Sequence, residues 1–292
     1  MRSPIFVDGC AFAVGEPQPI ESLLRQGALS PESYEDCLGR GIRTFCAGGS
    51  IAEMGAMAAA RALATAGIPA DAIDCVVVSD PSSSGPIELG KARIVLRAQD
   101  CAAFCAGIEA AAQQIAGGTA ENVLLLLTGH VPAGSSRYNP ELGTVFGDGA
   151  AACIVSSRRR GFAVISTESC LRNVSARATQ PPGEQLLQDF QGLQSLLRLS
   201  YESAAISAAA VTALCGTHGS QIYLELMAEA AGLSYERVYD DAMQEFGHVF
   251  SCDNLIALGH FLRRHGARRG RVFCLVGWSP RAAGVVLLEE LA

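Results

Sequence analysis

The sequence predicts an α/β protein with a large buried core, and two observations lead to that prediction. Apolar residues make up 49% of the 292 residues and charged residues only 17%, a balance that favours tightly packed layers over disorder. Helix-like segments alternate with short apolar strand-like runs, and each half closes with a glycine turn and strand-like runs. This repetition predicts a duplicated α/β unit, with halves at residues 1–165 and 166–292.

Apolar runs and turn residues place the elements of the first half. An Ala-rich segment that stops before Gly67 is typical of a helix, and short apolar runs flanked by Asp, Asn or Gly are typical of buried strands. The predicted elements are a helix over 51–66, strands over 75–78 and 94–100, a helix over 106–116, a strand over 122–130, a glycine turn and strand over 146–156, and its antiparallel neighbour over 162–169.

The second half repeats the alternation after a weaker stretch. Residues 165–205 carry Gln, Ser and Pro with little periodicity, and we predict that they connect the halves. The predicted elements that follow are a short apolar run over 210–216, helices over 220–231 and 255–264, and buried strands over 271–279 and 285–291.

Composition excludes several classes of protein. The net charge of −7 speaks against broad nucleic-acid binding. The opening residues carry no apolar leader segment, and no apolar run reaches the roughly 18 residues of a membrane span. The 11 cysteines are scattered singly without a C-x-x-C pair, which predicts reduced thiols in the cytoplasm and no bound metal.

Three segments carry candidate chemistry. Cys105 lies where the chain turns into the predicted helix 106–116, and a helix amino terminus favours a thiolate. Cys101 is the rival nucleophile, but it precedes that turn. His218 follows the short apolar run, and His248 and Asp253 share one further segment.

Each of these residues also has a purely structural interpretation. Cys105 is then another buried core cysteine, and His218 is a structural histidine at a strand end. His248 is then a helix-start residue bonded to backbone, and Asp253 is the N-cap of the helix that begins at Leu255.

Three motifs together resemble the ketoacyl synthase III branch of the thiolase superfamily. They are FCAGI around Cys105, FGDGAAACIV from Phe146 and THGSQ around His218, beside the family's A-C-A-G-F, F-G-D-G-A-G-A and H-Q-A-N. Gly41-Ile-Arg43 and the helix and strand from Met57 to Asp80 extend the resemblance over nearly the whole chain. It implies the duplicated five-layered α-β-α-β-α thiolase fold, a homodimer and a Cys-His-Asn active site.

The chain departs from that pattern at its third active-site segment. The synthases have G-N-T-S-A-A-S where this chain has GHVFSCD, so His248 takes the Asn position and Asp253 follows five residues later. This G-H-x-x-x-x-D pattern is similar to an offshoot of acyltransferases in natural-product pathways that use Cys, His and Asp to acylate hydroxyl or amine acceptors.

The resemblance implies a two-step acyl transfer. Cys105 takes the acyl group from a thioester, and His218, oriented by Asp253, then deprotonates a small-molecule acceptor. His248 orients the acceptor or adds an oxyanion contact, and the main oxyanion donors are the backbone N–H groups of Cys105 and Ser279. We expect no permanently bound cofactor, only acyl-CoA or an acyl carrier protein thioester as co-substrate.

Carrier protein is the expected donor, because the family's coenzyme A contacts are replaced, with Gln221 and Tyr223 in the second of those regions. Two Arg-rich groups, Arg158–Arg160 and the run from Arg263 to Arg271, are candidate docking residues or ordinary solvated faces. Two other functions stay open: a condensing ketoacyl synthase III with His248 in the Asn role, and a non-catalytic partner subunit of a ketosynthase pair.

Overall fold

The computed structural model describes residues 4–79, 92–96, 100–171 and 182–291. The helices are α1 Glu21–Arg25, α2 Pro31–Gly39, α3 Ile51–Ala66, α4 Ala103–Ala116, α5 Pro182–Ala204, α6 Gln221–Ala230, α7 Asp241–Phe246 and α8 Asp253–His265. The strands are β1 Phe6–Val14, β2 Glu16–Pro19, β3 Thr44–Ala47, β4 Cys75–Val78, β5 Ala92–Val95, β6 Asn122–Gly129, β7 Tyr138–Asn139, β8 Thr144–Val145, β9 Gly149–Ser156, β10 Phe162–Leu171, β11 Val211–Gly216, β12 Val272–Trp278 and β13 Ala282–Glu290.

Nine strands form one sheet in the order β11-β12-β13-β10-β1-β9-β6-β4-β5. The pairs β4–β5, β4–β6 and β11–β12 are parallel and the remaining pairs are antiparallel. β1 and β10 meet over only two residue pairs, Phe6 with Ala163 and Val7 with Phe162, so the sheet opens into two halves beyond that short contact.

Helices fill the opening between the halves and cover their outer faces. α4 packs against β6 and β9 on one side and β10 and β13 on the other, while α8 lies between β1 and β9 and the pair β11–β12. α3 covers β1, β9 and β6 from outside, and α5 covers β10 and β13. These are the five layers of the predicted thiolase architecture, with α4 and α8 at its centre.

Gly107 lets the central helix α4 pack closely against β6. A Cβ placed on Gly107 of α4 would lie 2.4 Å from Leu125 Cδ1 of β6. The sequence did not predict this contact. Gly107 therefore serves the packing of α4 against the sheet.

Two features of the middle of the chain did not follow from the sequence: a long helix within the connecting stretch, and the neighbour of β10. Residues 182–204 form the long helix α5, whose Leu193 and Leu197 are buried, but intervening Gln and Ser residues hide that apolar face in the sequence. β10 pairs with β13 and β1, whereas the sequence predicted β9 as its neighbour, because β1 from the start of the chain inserts between them. Part of the predicted connecting stretch, residues 172–181, lies outside the described residues.

No helix within the described ranges is both long enough and apolar enough to cross a membrane.

Candidate active site

Cys101 lies in the turn that leads into the central helix α4. The turn is a 3-10 segment, Asp100–Ala102, and α4 follows directly at Ala103. The sequence predicted a helix start at residue 106, three residues after the start of α4 and six after the start of the 3-10 turn. The helical segment therefore begins at Asp100, and the half-buried Cys101 side chain lies in its first turn.

Gly277 lets the end of β12 pass close beneath this turn. A Cβ on Gly277 would lie 2.5 Å from the carbonyl oxygen of Cys101 and 2.6 Å from Ala102 Cα. Any other residue at position 277 would displace the turn that carries the thiol.

Cys105 lies one helical turn further along α4 and is completely buried. A Cβ on Gly284 of β13 would lie 2.7 Å from Cys105 Sγ, so the thiol packs against that strand. Burial, followed by the nearby Glu109 carboxylate, raises the pKa of the Cys105 thiol. The structure thus gives Cys105 the environment of a core cysteine, and it does not bring this thiol to the histidines as the sequence predicted.

The segment that carries His248 is held by backbone hydrogen bonds to the FGDG turn. His248 N donates to Val145 O at 2.8 Å, and Gly147 N donates to His248 O at 2.9 Å. Gly247 has a φ of 77°, in the region that favours glycine, and its N–H donates to Met243 O at the end of α7. These contacts fix the direction in which the His248 ring leaves the backbone.

Cys101, His248 and Asp253 form a linear relay. His248 Nδ1 lies 2.5 Å from Asp253 Oδ2, and His248 Nε2 lies 3.8 Å from Cys101 Sγ. His248 and Asp253 are both buried, at 2% and 1% exposure. The imidazole therefore has its two nitrogens turned to the carboxylate and to the thiol, the arrangement of a nucleophile, a base and an orienting acid.

Asp253 is the first residue of α8, and its carboxylate faces inward. Oδ1 accepts from Val249 N at 2.7 Å, and Oδ2 accepts from His218 N at 2.9 Å. The N-cap position of α8 is Cys252, with no side-chain cap. The N-cap interpretation of Asp253 is therefore wrong: its oxygens are used by two histidine segments instead of by its own helix.

His218 lies in the loop after β11, beside the same carboxylate. Its Nδ1 is 3.3 Å from Asp253 Oδ1, at an angle that does not make a hydrogen bond, and neither ring nitrogen has a hydrogen-bond partner among the described residues. The centroids of the His218 and His248 rings are 6.5 Å apart. The sequence predicted that Asp253 would orient His218. In the structure the Asp253 carboxylate instead accepts its side-chain hydrogen bond from His248.

The two histidines differ in protonation. Burial alone would lower the pKa of His248, but Asp253 and the Cys101 contact raise it to about 10. Burial lowers the pKa of His218 and His248 adds to that, while Asp253 and the Gly247 carbonyl oppose it. Burial would raise the pKa of Asp253, but the two histidines lower it. Near neutral pH the geometry favours an anionic Asp253, a cationic His248 and a neutral His218.

Aromatic rings surround His248. The rings of Phe146 and Phe250 stack with centroids 4.9 Å apart, and both lie within 5.4 Å of the His248 ring centroid. Phe250 has a φ of 52°, which is unfavourable for a bulky residue. Strained residues of this kind collect at functional sites, where surrounding contacts hold them.

The predicted oxyanion donor at Ser279 is already engaged. Its N–H donates to Ala282 O at 2.9 Å in the turn between β12 and β13. The other predicted donor, Cys105 N–H, belongs to a residue inside α4, one turn beyond Cys101. Neither prediction therefore matches the position of the thiol that contacts a histidine.

The glycine block FGDGA is a structural turn, and Asp148 ties it to three loops. The Asp148 carboxylate accepts from Gly48 N and Val131 N, both at 2.8 Å, and pairs with Arg137 at 2.6 Å. Burial would raise the pKa of Asp148, but these contacts lower it. The block thus supports the backbone that holds His248.

Arg40, which the sequence analysis did not single out, clasps two loops beside the site. Its side chain is only 8% exposed and donates to the carbonyl oxygens of Gly219 and Gly143. Gly219 directly follows His218, so Arg40 fixes the loop that carries this histidine. A buried Arg is a signal that a sequence alone does not reveal, because its burial depends on contacts more than 100 residues away.

The residues considered for the acyl donor lie in two different regions. The rings of Tyr223 and Trp278 stack with centroids 4.5 Å apart, and the Tyr223 hydroxyl donates to the Trp278 carbonyl. The Tyr223 ring is thus held against the end of β12, beside the loop that carries His218. The two Arg-rich groups, residues 158–160 and 263–271, lie at or just beyond the carboxyl ends of β9 and α8. The opposite ends of these two elements carry Gly149 and Asp253. Those elements are roughly 20–25 Å long, so both groups lie far from the thiol.

His218, His248 and Asp253 also have ligand atoms within 4.8 Å of one another, a spacing that a metal ion can use. The Asp253 oxygens already accept hydrogen bonds, and His248 Nδ1 is turned to one of them. The arrangement is thus that of an acid–base network.

Comparisons with known proteins find ketoacyl synthases similar to this chain. The family model of 3-oxoacyl-[acyl-carrier-protein (ACP)] synthase III matches residues 97–170, which include Cys101. A beta-ketoacyl-[acyl-carrier-protein] synthase III of Chlamydia caviae is 22% identical over 275 residues, 82% of each chain. The Chlamydia pneumoniae protein of the same name is 32% identical over 119 residues, which span 37% of this chain and 36% of the relative.

Solved structures match over nearly the whole length. ChlB3, described as an acyltransferase, superposes with a TM-score of 0.87 at 16% identity, covering 99% of this chain and 98% of that one. The 3-oxoacyl-(acyl carrier protein) synthase III of Pseudomonas aeruginosa PAO1 gives 0.80 at 20% identity over 99% of both chains. The priming beta-ketosynthase of the R1128 polyketide pathway gives 0.76 at 19% identity, over 99% and 98%.

These likenesses confirm the predicted fold. The chain has the thiolase fold and is similar to ketoacyl synthase III.

Proposed function

We propose that this chain is an acyltransferase that passes an acyl group from a thioester donor to a hydroxyl or amine acceptor through a thioester on Cys101. The observation that carries the proposal is the relay in which His248 lies between Cys101 Sγ and Asp253 Oδ2. An imidazole in this position takes the thiol proton, and the carboxylate stabilises the imidazolium that results.

The first step makes the acyl-enzyme. In the resting pair His248 Nε2 already holds the proton taken from Cys101, and the sulfur attacks the carbonyl carbon of the donor. The carbon–sulfur bond to the donor then breaks, and the departing thiolate takes its proton from His248 Nε2. The position of Cys101 at the amino end of the helical segment favours the negative charge on sulfur and leaves its backbone N–H as an oxyanion donor.

Asp253 is the reason to favour transfer over condensation. A condensing enzyme must stabilise the enolate formed when a malonyl thioester loses carbon dioxide, and neutral N–H donors suit that charge. Here a buried carboxylate lies beside both histidines. Its charge opposes an enolate and supports an imidazolium, which is what base catalysis on a protonated acceptor needs.

A carrier protein or coenzyme A supplies the acyl group under this proposal. The related synthases act with acyl carrier protein, as their names state, and the chain's Tyr223 is occupied by its stack on Trp278 instead of contacting a nucleotide. The Arg-rich groups are not at the thiol, so they do not contact the reacting thioester.

We also propose a homodimer. β5 is an outer strand of the nine-stranded sheet in the described part of the chain, and an open strand edge pairs readily with a second copy. Light scattering gives the mass in solution, and a monomer at all concentrations would contradict this assignment.

Intact-mass spectrometry tests the proposed function. Incubation with an acetyl thioester should add an acetyl group to the wild-type chain and none to Cys101→Ala. Addition of an acceptor should then remove the adduct and yield an ester or amide. Carbon dioxide release from a malonyl thioester, with a ketoacyl product, would contradict the proposal.

Two alternatives lead to different outcomes in that experiment. A condensing synthase is favoured by the whole-length structural match to a priming ketosynthase, and it would produce the ketoacyl product. A non-catalytic partner subunit would form no adduct with any thioester. The relay argues against that role, because a subunit without chemistry has no need of a carboxylate, an imidazole and a thiol in line.

A further inference from the structure

The Asp253 carboxylate lies beside His218 and His248, and the two rings differ in how many of their nitrogens are already hydrogen-bonded. His248 has both ring nitrogens engaged, one with Asp253 and one with Cys101. His218 is 1% exposed, and neither of its ring nitrogens makes a well-aligned hydrogen bond among the described residues, although the Asp253 carboxylate and the Gly247 carbonyl lie close to the ring. A buried imidazole without a well-aligned partner costs free energy, so in this site it indicates a group that arrives with the substrate.

We propose that His218 is the general base that takes the proton of an alcohol acceptor, while His248 serves the Cys101 sulfur in both steps. The inference rests on the proposed acyl transfer and narrows its acceptor to an alcohol hydroxyl. An alcohol is protonated at neutral pH and needs a base at the moment of attack, whereas a neutral amine or an ionised thiol attacks without first losing a proton.

The geometry separates the two tasks. In the acyl-enzyme the Cys101 sulfur remains bonded in place, and His248 Nε2 stays turned to it. When the acceptor oxygen attacks, its proton passes to His218, the new carbon–oxygen bond forms, and the bond from the acyl carbon to Cys101 breaks. Asp253 Oδ1, 3.3 Å from His218 Nδ1, stabilises the charge that develops on that ring.

The cycle closes with every proton accounted for. His248 gave its proton to the departing donor thiol, and His218 received one from the alcohol. Transfer of the second proton to His248 restores the starting enzyme. The direction is favourable, because the shared surroundings raise the pKa of His248 and lower that of His218.

Matched variants separate this inference from the proposed function. His218→Asn should slow transfer to ethanol by about 10²–10⁴-fold more than it slows formation of the Cys101 adduct. His248→Asn should lose adduct formation itself. Adduct formation is followed by intact mass with an acetyl thioester, and transfer by the ethyl ester formed. Thermal unfolding of both variants, with His218→Gln as a second replacement, checks that the fold is kept.

A series of alcohols tests the base directly. Along ethanol, chloroethanol and trifluoroethanol the acceptor becomes more acidic, so the penalty of His218→Asn should shrink, which a purely structural role would not produce. Equal transfer by wild type and His218→Asn would overturn the inference, as would equal loss of adduct formation in both histidine variants. Transfer from the wild-type adduct to methoxyamine but to none of the alcohols would also overturn it. Absence of any wild-type adduct would instead refute the proposed function.

Discussion

His248 Nδ1 and Asp253 Oδ2 lie 2.5 Å apart, and both residues are buried. Residue 248 takes the position of the neutral Asn amide in the synthases that the chain resembles. In this chain the position instead holds an imidazole in a charge-assisted hydrogen bond. The five-residue spacing of these side chains is possible because the 3-10 turn Phe250–Cys252 brings the start of α8 back toward residue 248.

The first prediction distinguishes the two cysteines. Cys101→Ala should abolish the acyl adduct, because only Cys101 Sγ contacts His248 among the described cysteines. Cys105→Ala should keep the adduct and lower the free energy of unfolding, since it removes a completely buried sulfur from α4. Intact mass with an acetyl thioester gives the first result and urea unfolding the second. An adduct on Cys105 would reverse the assignment.

The local sequence predicts several elements of the fold, but it does not determine which cysteine lies at the start of α4. The strands Cys75–Val78 and Asn122–Gly129 and the helix Ile51–Ala66 follow from local apolar runs and glycines, and the structure has them at the predicted places. The start of α4 does not follow in this way, because its N-cap, Ala102, makes no side-chain cap. Without a capping residue, nothing local decides between Cys101 and Cys105.

The partner of Asp253 likewise depends on tertiary structure. The sequence shows that His218, His248 and Asp253 are candidates, and the structure brings all three together. Which histidine side chain donates a hydrogen bond to Asp253 depends on how the loop after β11 and the turn before α8 approach each other. Loops of this kind are fixed by long-range contacts such as those of Arg40, which have no local pattern.

The second prediction concerns Asp253→Asn. The amide keeps the shape of the side chain but loses the charge that supports the His248 imidazolium. We expect the rate of adduct formation to fall by as much as about 10⁴-fold, as for the carboxylate of a protease triad. Stopped-flow or quenched-flow acylation measures this rate. A wild-type rate in Asp253→Asn would show that the carboxylate is only structural.

The third prediction is a pH dependence of stability. The pKa of His248 is about 10 in the folded protein and roughly 6.5 in an unfolded chain. Because the folded state binds this proton more tightly, the stabilisation is complete below about pH 6.5 and is lost as the pH rises toward about 10. His218, with a lowered pKa, remains neutral over that range.

The measurement compares urea unfolding of Cys101→Ala with that of Cys101→Ala/His248→Gln, so that the thiol does not titrate. The stability difference between the two proteins should shrink as the pH rises from 7 to about 10, and it should do so at lower pH than in the wild type, because the Cys101 contact that helps to raise the His248 pKa is absent. A constant difference over this interval would show that His248 is not protonated in the folded protein.

The fourth prediction assigns Arg40 a positioning role. Arg40→Lys keeps the charge, but a single ammonium cannot bridge Gly143 O and Gly219 O as the two guanidinium nitrogens do. The loop that carries His218 should then move, and the acyl-transfer step should slow by about 10- to 100-fold. Adduct formation should slow less than transfer, because the loop reaches Cys101 and His248 through Asp253, whose Oδ2 accepts the His218 backbone N–H. Arg25→Lys, at an exposed position on α1, is the control; equal effects of both variants would remove the role from Arg40.

The last prediction concerns Gly277, where β12 passes beneath the Cys101 turn. A Cβ here would lie 2.5 Å from the Cys101 carbonyl oxygen, so Gly277→Ala must move either the strand end or the turn. Displacement of the thiol by about 1 Å should reduce the adduct-formation rate by about 10²-fold. Gly39→Ala in α2, where a Cβ meets nothing within 4 Å, is the matched control and should leave that rate unchanged. If Gly277→Ala acylates as fast as Gly39→Ala, the position of the turn does not limit the chemistry, and the thiol tolerates a looser approach to His248 than the 3.8 Å contact indicates.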